Sequence, residues 1–381
     1  MAVQQGYFLI ADITGYTQYL NESELDHAQG ILTSLLNLLI EHTRPPLIIS
    51  RLAGDAVISY GLSGHFLSGQ TFVESLADTY VSFRRMVELM VRNTTCPCNA
   101  CRNIASLDLK FFVHYGDFAV QKLDAHDELV GSDVNLLHRL TKNHVTEALG
   151  LKAYTLYSDA AIHALGLENL TGLIRHEETY EHLGTVTVWV EDMHPVWELK
   201  RHLSPAAIPP ARELLRAGAD IALRPELVWD YLIQPQHLRV MLNATKVDLV
   251  KQPGDKTSAG NMFQCYHGGG MQPLTIIDWQ PFQRIVTEFT PMKGVTGHCE
   301  FRLEPIEGGT RLTQIMAKGE GALGRFLFNW QFRKMATELN EDMQRFRTHV
   351  ETDWAQFTPT PTVVPAQDRV RSAARESLNA A

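Results

Sequence analysis

"SRLAGDAVISYG", residues 50–61, places one carboxylate, Asp55, at the turn between two β-rich runs, LIIS (47–50) and AVISY (56–60). Gly54 beside it is the residue type a tight hairpin turn favours. An acid at such a place is costly to desolvate and offers a core nothing, so its neighbours must explain it. Upstream, GYFLIADI (6–13) reads as a buried strand that ends in a second acid, Asp12. Between the two, Leu25, Ala28, Ile31, Leu32, Leu35 and Leu39 recur at helical spacing and predict a helix from about Glu22 to His42, ended by Pro45 and Pro46.

Downstream, FVESLADTYVSFRRMVELMVRN (72–93) predicts a second amphipathic helix, and LKFFVHYG (109–116) and FAVQKL (118–123) predict strands. GSDVNLLHRLTKNH (131–144) opens a helix with Ser132 or Asp133 as its cap. LKAYTLY (151–157) and VTVWVED (186–192) complete an alternating order of helices and strands that predicts a first domain over 1–195. Three prolines in RHLSPAAIPPAREL (201–214) give 196–214 linker character.

A second domain is expected over 215–353. It reads as a strand, a short helix, antiparallel strands with Gly-rich turns at YHGGGMQ and PIEGGT, and one long helix from about Ala322 to Val350. Phe332, Met335, Ala336, Leu339, Met343, Phe346 and Val350 share one face of that helix. The remaining 354–381, rich in Pro, Thr and Ala, is expected to be disordered.

With 381 residues and 45% hydrophobic composition, the chain can support two ordinary hydrophobic cores. Its formal charge of −9 gives no electrostatic footprint for nucleic acid. No apolar run approaches the ~18 residues of a membrane helix and the N-terminus lacks a signal-peptide layout, so no membrane association and a cytoplasmic location are expected. Five cysteines are no disulfide scaffold, yet Cys96, Cys98 and Cys101 crowd into CPCNAC.

Two strand-end carboxylates, Asp12 and Asp55, can be separate turn residues or can converge on a divalent cation. Asn135 and Arg139 stand four apart on one helical face, an amide and a guanidinium suited to a sugar oxygen and a phosphate. In order, FLIADITGY, RLAGDAV, VHYGDFAV and GSDVNLLHR resemble the successive signatures of the class III adenylate and guanylate cyclase domain, and YTLYSDAAIHAL and YEHLGTVTVWVED its closing segments. That resemblance spans about 5–193 and implies an α+β, ferredoxin-like core that dimerises head to tail, with each site built from both chains. It implies that Asp12, Asp55 and the backbone of Ile13 hold two Mg²⁺ or Mn²⁺ ions, that Thr14 and Gly15 cradle phosphates of a nucleoside triphosphate, that Asn135 orients the ribose, and that Arg139 stabilises charge on the α-phosphate.

The departure from the family lies in base recognition. Arg51 and Glu128 stand where an adenylate cyclase usually has Lys and Asp. One donor and one acceptor suit the edge of adenine and equally that of cytosine, while guanine reverses the pattern. Alternatively the two residues pair with each other in a non-catalytic relative, a reading that the lack of Lys in EHLGTVTVW also favours.

C-x-C-x-x-C spacing at Cys96, Cys98 and Cys101 can converge on Zn²⁺ or an iron–sulfur cluster, with His114 or a partner-chain residue as fourth ligand, or can be a loop of reduced thiols. The sixteen histidines show no H-x-x-x-H pair or other ligand spacing. LRPELVWDYLIQPQHL and FRLEPIEGGTRLTQIM resemble the entry helix and late hairpin of the START-like helix-grip superfamily, which includes polyketide cyclases. This resemblance implies a cavity for an apolar small molecule in a regulatory module. YHGGG reads as a hairpin turn, and Trp229, Trp279 and Trp330 as core. Two functions follow: a nucleotidyl cyclase modulated by an apolar ligand, or a non-catalytic dimeric ligand- or redox-sensing protein on the same fold.

Overall fold

In the computed structural model, which describes residues 3–44, 46–64, 69–123, 126–181, 183–202, 206–251, 258–268, 270–292, 295–319 and 336–356, the apolar run around Phe8 becomes an inner strand of an eight-stranded sheet. β1 (Gln4–Thr14) leads through α1 (Tyr16–Asn21) and α2 (Leu25–Thr43) to the hairpin of β2 (Ile48–Ala53) and β3 (Ala56–Leu62). Then come α3 (Gly69–Asn93), α4 (Asn99–Asn103) and β4 (Asp108–Leu123). These strands stand in the order β2-β3-β1-β4 with every neighbouring pair antiparallel, the ferredoxin-like split βαβ arrangement.

β4 runs unbroken for 16 residues where the sequence suggests two strands, because Tyr115 and Gly116 stay in register with Tyr7 and Gly6 of β1. β5 (His126–Val130) folds back on it and leads into α5 (Ser132–Leu140) and α6 (Val145–Leu149). The sheet then continues through β6 (Tyr154–Ser158), α7 (Asp159–Leu165), β7 (Leu173–Tyr180), β8 (Gly184–Asp192) and α8 (His194–Lys200). The N-terminal flanking residue of α5 is Gly131, and no side chain caps the helix. Asp133, expected with Ser132 as a cap, instead accepts the Asp117 N–H at 2.7 Å and ties α5 to β4.

Side chains alternate across β1. Tyr7, Leu9, Ala11 and Ile13 enter the core with Leu35, Leu39, Phe72 and Tyr80 of α2 and α3, while Phe8 and Ile10 meet Ile58, Phe112, Phe118 and Leu137 on the other face. The same period puts Asp12 on the second face, at its rim.

β9 (Glu213–Ile221), α9 (Pro225–Ile233), α10 (Pro235–Met241), β10 (Lys246–Lys251), β11 (Met262–His267), β12 (Gly270–Gln280), β13 (Arg284–Met292), β14 (Val295–Ile306) and β15 (Gly309–Ala317) follow. They form a seven-stranded antiparallel sheet, order β10-β11-β12-β13-β14-β15-β9, covered by α11 (Ala336–Gln356). Leu339, Met343, Phe346 and Val350 of α11 are buried in one core with Trp229, Trp279 and Phe282. Residues 322–335 of the expected helix, including Phe332, Met335 and Trp330, lie outside the described residues, as does the tail beyond 356. His267 and Gly270 of YHGGG pair across the β11–β12 hairpin. The molecule is thus α+β in class, and among the described residues no helix is long and apolar enough to cross a membrane.

Candidate functional site

Pairing of β1 with β3 sets Asp12 opposite Ala56, which brings the β2–β3 turn and Asp55 to the end of β1. The Ile13 N–H donates to the Asp55 carbonyl at 3.2 Å, and Gly54 turns the chain at φ +65°. Burial first, and the neighbouring Asp55 charge second, push the Asp12 carboxyl up to about 6, against the opposing pull of Lys110. Asp55 is also raised by burial. Two acids in this state form a locus short of positive charge. Lys110, cross-strand from Asp12 on β4, provides part of it. Its ammonium donates to Thr146 Oγ1 at 3.2 Å and stands 4.9 Å from the centre of the Tyr154 ring, and burial lowers its pKa.

The Thr14 hydroxyl is buried with no hydrogen-bond partner among the described residues. Gly15 follows in the left-handed region at φ +86°, a conformation that disfavours side chains. Two carboxylates, backbone oxygen and an orphaned hydroxyl are a hard-oxygen set, which fits Mg²⁺ or Mn²⁺.

Asn135 and Arg139 are exposed one turn apart on α5, while Val134, Leu137 and Leu140 face the core. Among the described residues neither side chain has a hydrogen-bond or ion-pair partner, and neither bonds to Asp12 or Asp55. Arg51 donates from one guanidinium nitrogen to Glu128 Oε1 at 2.8 Å and lies 3.3 Å from His138 Nε2 with the other. The structure therefore brings Arg51 and Glu128 together and adds His138, whose pKa is lowered by burial and then by Arg51. His138 could have been read from the sequence, since it follows Asn135 by three on the same helix. Lys110 could not, because only the β1–β4 register reveals its neighbour.

At the cysteine cluster the fourth group is His27 of α2, not His114. Ligand atoms of His27, Cys96, Cys98 and Cys101 all lie within 4.8 Å of one another. His114 is 3% exposed within β4, with Nδ1 2.6 Å from Ser158 Oγ and Nε2 3.5 Å from Asp133. Its strand holds it in the sheet, away from the cysteines. In the second domain, Trp229 and Trp279 are buried with ring centres 4.7 Å apart. Their indole N–H groups and Gln314 Oε1 have no partner among the described residues, so this apolar core contains unused polar handles.

The architecture is that of a ferredoxin-like α+β domain joined to a helix-grip domain. A family model described as "Protein of unknown function (DUF2652)" matches residues 32–148. Residues 222–351 match one described as "Activator of Hsp90 ATPase homolog 1-like protein", a START-like helix-grip domain. The uncharacterized protein Rv2561/Rv2562 of Mycobacterium tuberculosis is 31% identical over 97 residues, 26% of this chain and 45% of that protein. The chain thus spans less than half of that relative's length.

Structural neighbours include class III cyclase domains. The guanylyl cyclase Cya2 is 11% identical, covering 50% of this chain and 93% of its own, at a TM-score of 0.35. The adenylyl cyclase CyaB from P. aeruginosa is 14% identical, covering 50% and 97%, at 0.34. Protein MLL2253 from Mesorhizobium loti is 17% identical, covering 38% and 98%, at 0.29.

Proposed function

We propose that this protein is a class III nucleotidyl cyclase that works as a homodimer, converting a nucleoside triphosphate to its 3′,5′-cyclic nucleotide and pyrophosphate in the cytoplasm. The observation that carries the reading is the pair of Asp12 and Asp55 where β1 and the β2–β3 hairpin meet at one end of the strands, each held above its ordinary pKa, beside the orphaned Thr14 hydroxyl. Asp12, Asp55 and the Ile13 backbone would hold two Mg²⁺ or Mn²⁺ ions, which when bound supply the charge that activates the ribose 3′-hydroxyl and steadies the triphosphate. Thr14 and the backbone at Gly15 hold phosphate oxygens. Asn135 orients the ribose of the nucleotide bound at the partner's aspartates, and Arg139 neutralises charge that develops on the α-phosphate. The 3′-hydroxyl gives its proton to solvent, its oxygen bonds to the α-phosphorus as the bond from that phosphorus to the bridging oxygen breaks, and pyrophosphate leaves.

Arg51 and Glu128 read the base, adenine ahead of cytosine. Their mutual ion pair is 45% and 34% exposed. Pairs of that kind are worth about 0–1 kcal/mol, so an entering base separates them at little cost. An apolar ligand in the helix-grip domain modulates the output, with the buried indole N–H groups as its polar anchors.

The second reading, a non-catalytic dimeric sensor, is favoured by the same contact, because Arg51, Glu128 and His138 close on one another. Incubation with ATP, GTP, CTP and UTP plus Mg²⁺ or Mn²⁺ decides between them. The cyclase reading expects cyclic product and pyrophosphate from ATP first, none from Asp55→Ala, and a roughly 10²- to 10³-fold lower kcat in Arg139→Ala. Mixing those two impaired variants should restore part of the activity, since a mixed dimer holds one intact site. No product from any nucleotide, with Asp55→Ala indistinguishable from wild type, leaves the sensor reading.

A further inference from the structure

The cyclase chemistry makes no use of the CPCNAC segment, yet the fold takes trouble to hold it. We infer that His27, Cys96, Cys98 and Cys101 form a closed, structural zinc site. His27 Nδ1 lies 3.2 Å from Cys98 Sγ and 3.6 Å from Cys96 Sγ, and all four ligand atoms fall within 4.8 Å of one another. A tetrahedral zinc with bonds of about 2.3 Å to sulfur and 2.05 Å to nitrogen requires edges of about 3.8 Å between sulfurs and 3.6 Å between sulfur and nitrogen. The cluster therefore needs only small shifts to close around one ion.

Three thiolates and an imidazole are soft and borderline donors, which select zinc over Mg²⁺ or Ca²⁺. One ion fits this tight spacing, whereas a cluster of several irons needs its ligands spread around it. Four protein ligands leave no open position, so the role is structural.

The surroundings have the outer layer such a site needs. Cys98 flanks the start of α4, and its sulfur accepts the Cys101 N–H at 3.4 Å, a bond that favours thiolate. Between these two cysteines, the Ala100 N–H donates to Glu24 Oε2 at 3.0 Å, and the Ala100 carbonyl accepts from the Tyr19 hydroxyl at 3.0 Å. Glu24 immediately precedes α2, whose first turn carries His27, so backbone and ligand are anchored from the same element. Tyr19 belongs to α1, directly after Thr14 and Gly15. A Cβ on Gly15 would stand 3.4 Å from the Ser106 carbonyl, in the same connection as the cysteines. Zinc would thus staple the connection between α3 and β4 to the start of α2, beneath the turn that leaves β1.

Metal analysis of the full-length protein, purified under reducing conditions without chelator, should find one zinc per chain. Cobalt exchanged into the site should show intense thiolate-to-cobalt absorption and the visible bands of tetrahedral geometry. His27→Ala should weaken zinc by more than the roughly 10- to 100-fold that outer-layer changes cause, Cys98→Ser likewise, and His27→Cys should restore binding. Circular dichroism of each variant separates metal loss from unfolding. Metal-free wild type with no cobalt band, octahedral cobalt spectra, iron with sulfide in place of zinc, or undiminished affinity in folded His27→Ala would each overturn the assignment. These readouts do not depend on nucleotide turnover.

Discussion

Asp12 shows how one residue reports on its site. Its carboxyl is raised to about 6 by burial and then by Asp55, above the 3.8 it has when unfolded. The folded chain therefore keeps a proton that the unfolded chain releases in that interval. Stability from this group is complete below 3.8 and is lost as pH rises through about 6. Metal-free protein should accordingly melt at a lower temperature at about pH 7 than at about pH 5, as far as this group contributes. Mg²⁺ should recover that loss at the higher pH, because a cation stabilises the ionised pair. Asp55→Asn should shrink both effects while leaving the burial part of the shift, which differential scanning calorimetry with and without Mg²⁺ can measure. An identical Mg²⁺ response in wild type and Asp55→Asn would show that the ion binds elsewhere.

Among the elements, polar contacts tie α10 to α11 and α5 to β4 beside their apolar packing. His237 of α10 and His349 of α11 approach at 2.9 Å between Nδ1 and Nε2, and only one ring can donate while the other accepts. Burial and then His349 lower the His237 pKa below its ordinary 6.5. Stability from this latch is present above 6.5 and is lost as pH falls below it. Melting temperature should drop between about pH 7.5 and 5.5, and drop less in His349→Gln. An equal drop in both proteins would remove His237 from the explanation.

On α5 the contact is Asp133, whose carboxylate meets the Asp117 N–H beside Gly116. A Cβ on Gly116 would fall 2.4 Å from that carboxylate. Gly116→Ala should destabilise by about 1–3 kcal/mol. By moving the helix that carries Asn135 and Arg139, it should also cost, on the proposed cyclase reading, about tenfold or more in kcat, ~1.4 kcal/mol.

These helices also mark how far sequence reasoning reached. α2, α3 and the β2–β3 hairpin were legible because apolar period and turn residues are local signals. The unbroken β4 and the cap of α5 were not, since strand register and the β4–α5 contact decided them. Asp12 and Asp55 could be paired through a motif, but His27 gives no local hint, standing 69 residues from Cys96.

Across the whole molecule, the question is how the two domains communicate. Thr71 on α3 donates its hydroxyl to Asp230 Oδ1 on α9 at 2.6 Å, with both residues fully buried. Lys200, at the end of α8, pairs with Glu74 of α3 at 2.5 Å, close to the link into the second domain. α3 therefore enters the first domain's core through Phe72 and Tyr80 while its first turn grips the helix-grip domain. Thr71→Val keeps the side chain's size and removes only the donor. A hydrogen bond contributes about 0.5–1.5 kcal/mol net, and burial keeps water from replacing the lost donor. Wild type should unfold in one calorimetric transition, and Thr71→Val should lower the midpoint and separate the domains into two. Thr71→Ser, which retains the hydroxyl, should stay with wild type. If the valine and serine variants melt alike, or if wild type already unfolds in two steps, the Thr71–Asp230 contact does not couple the domains.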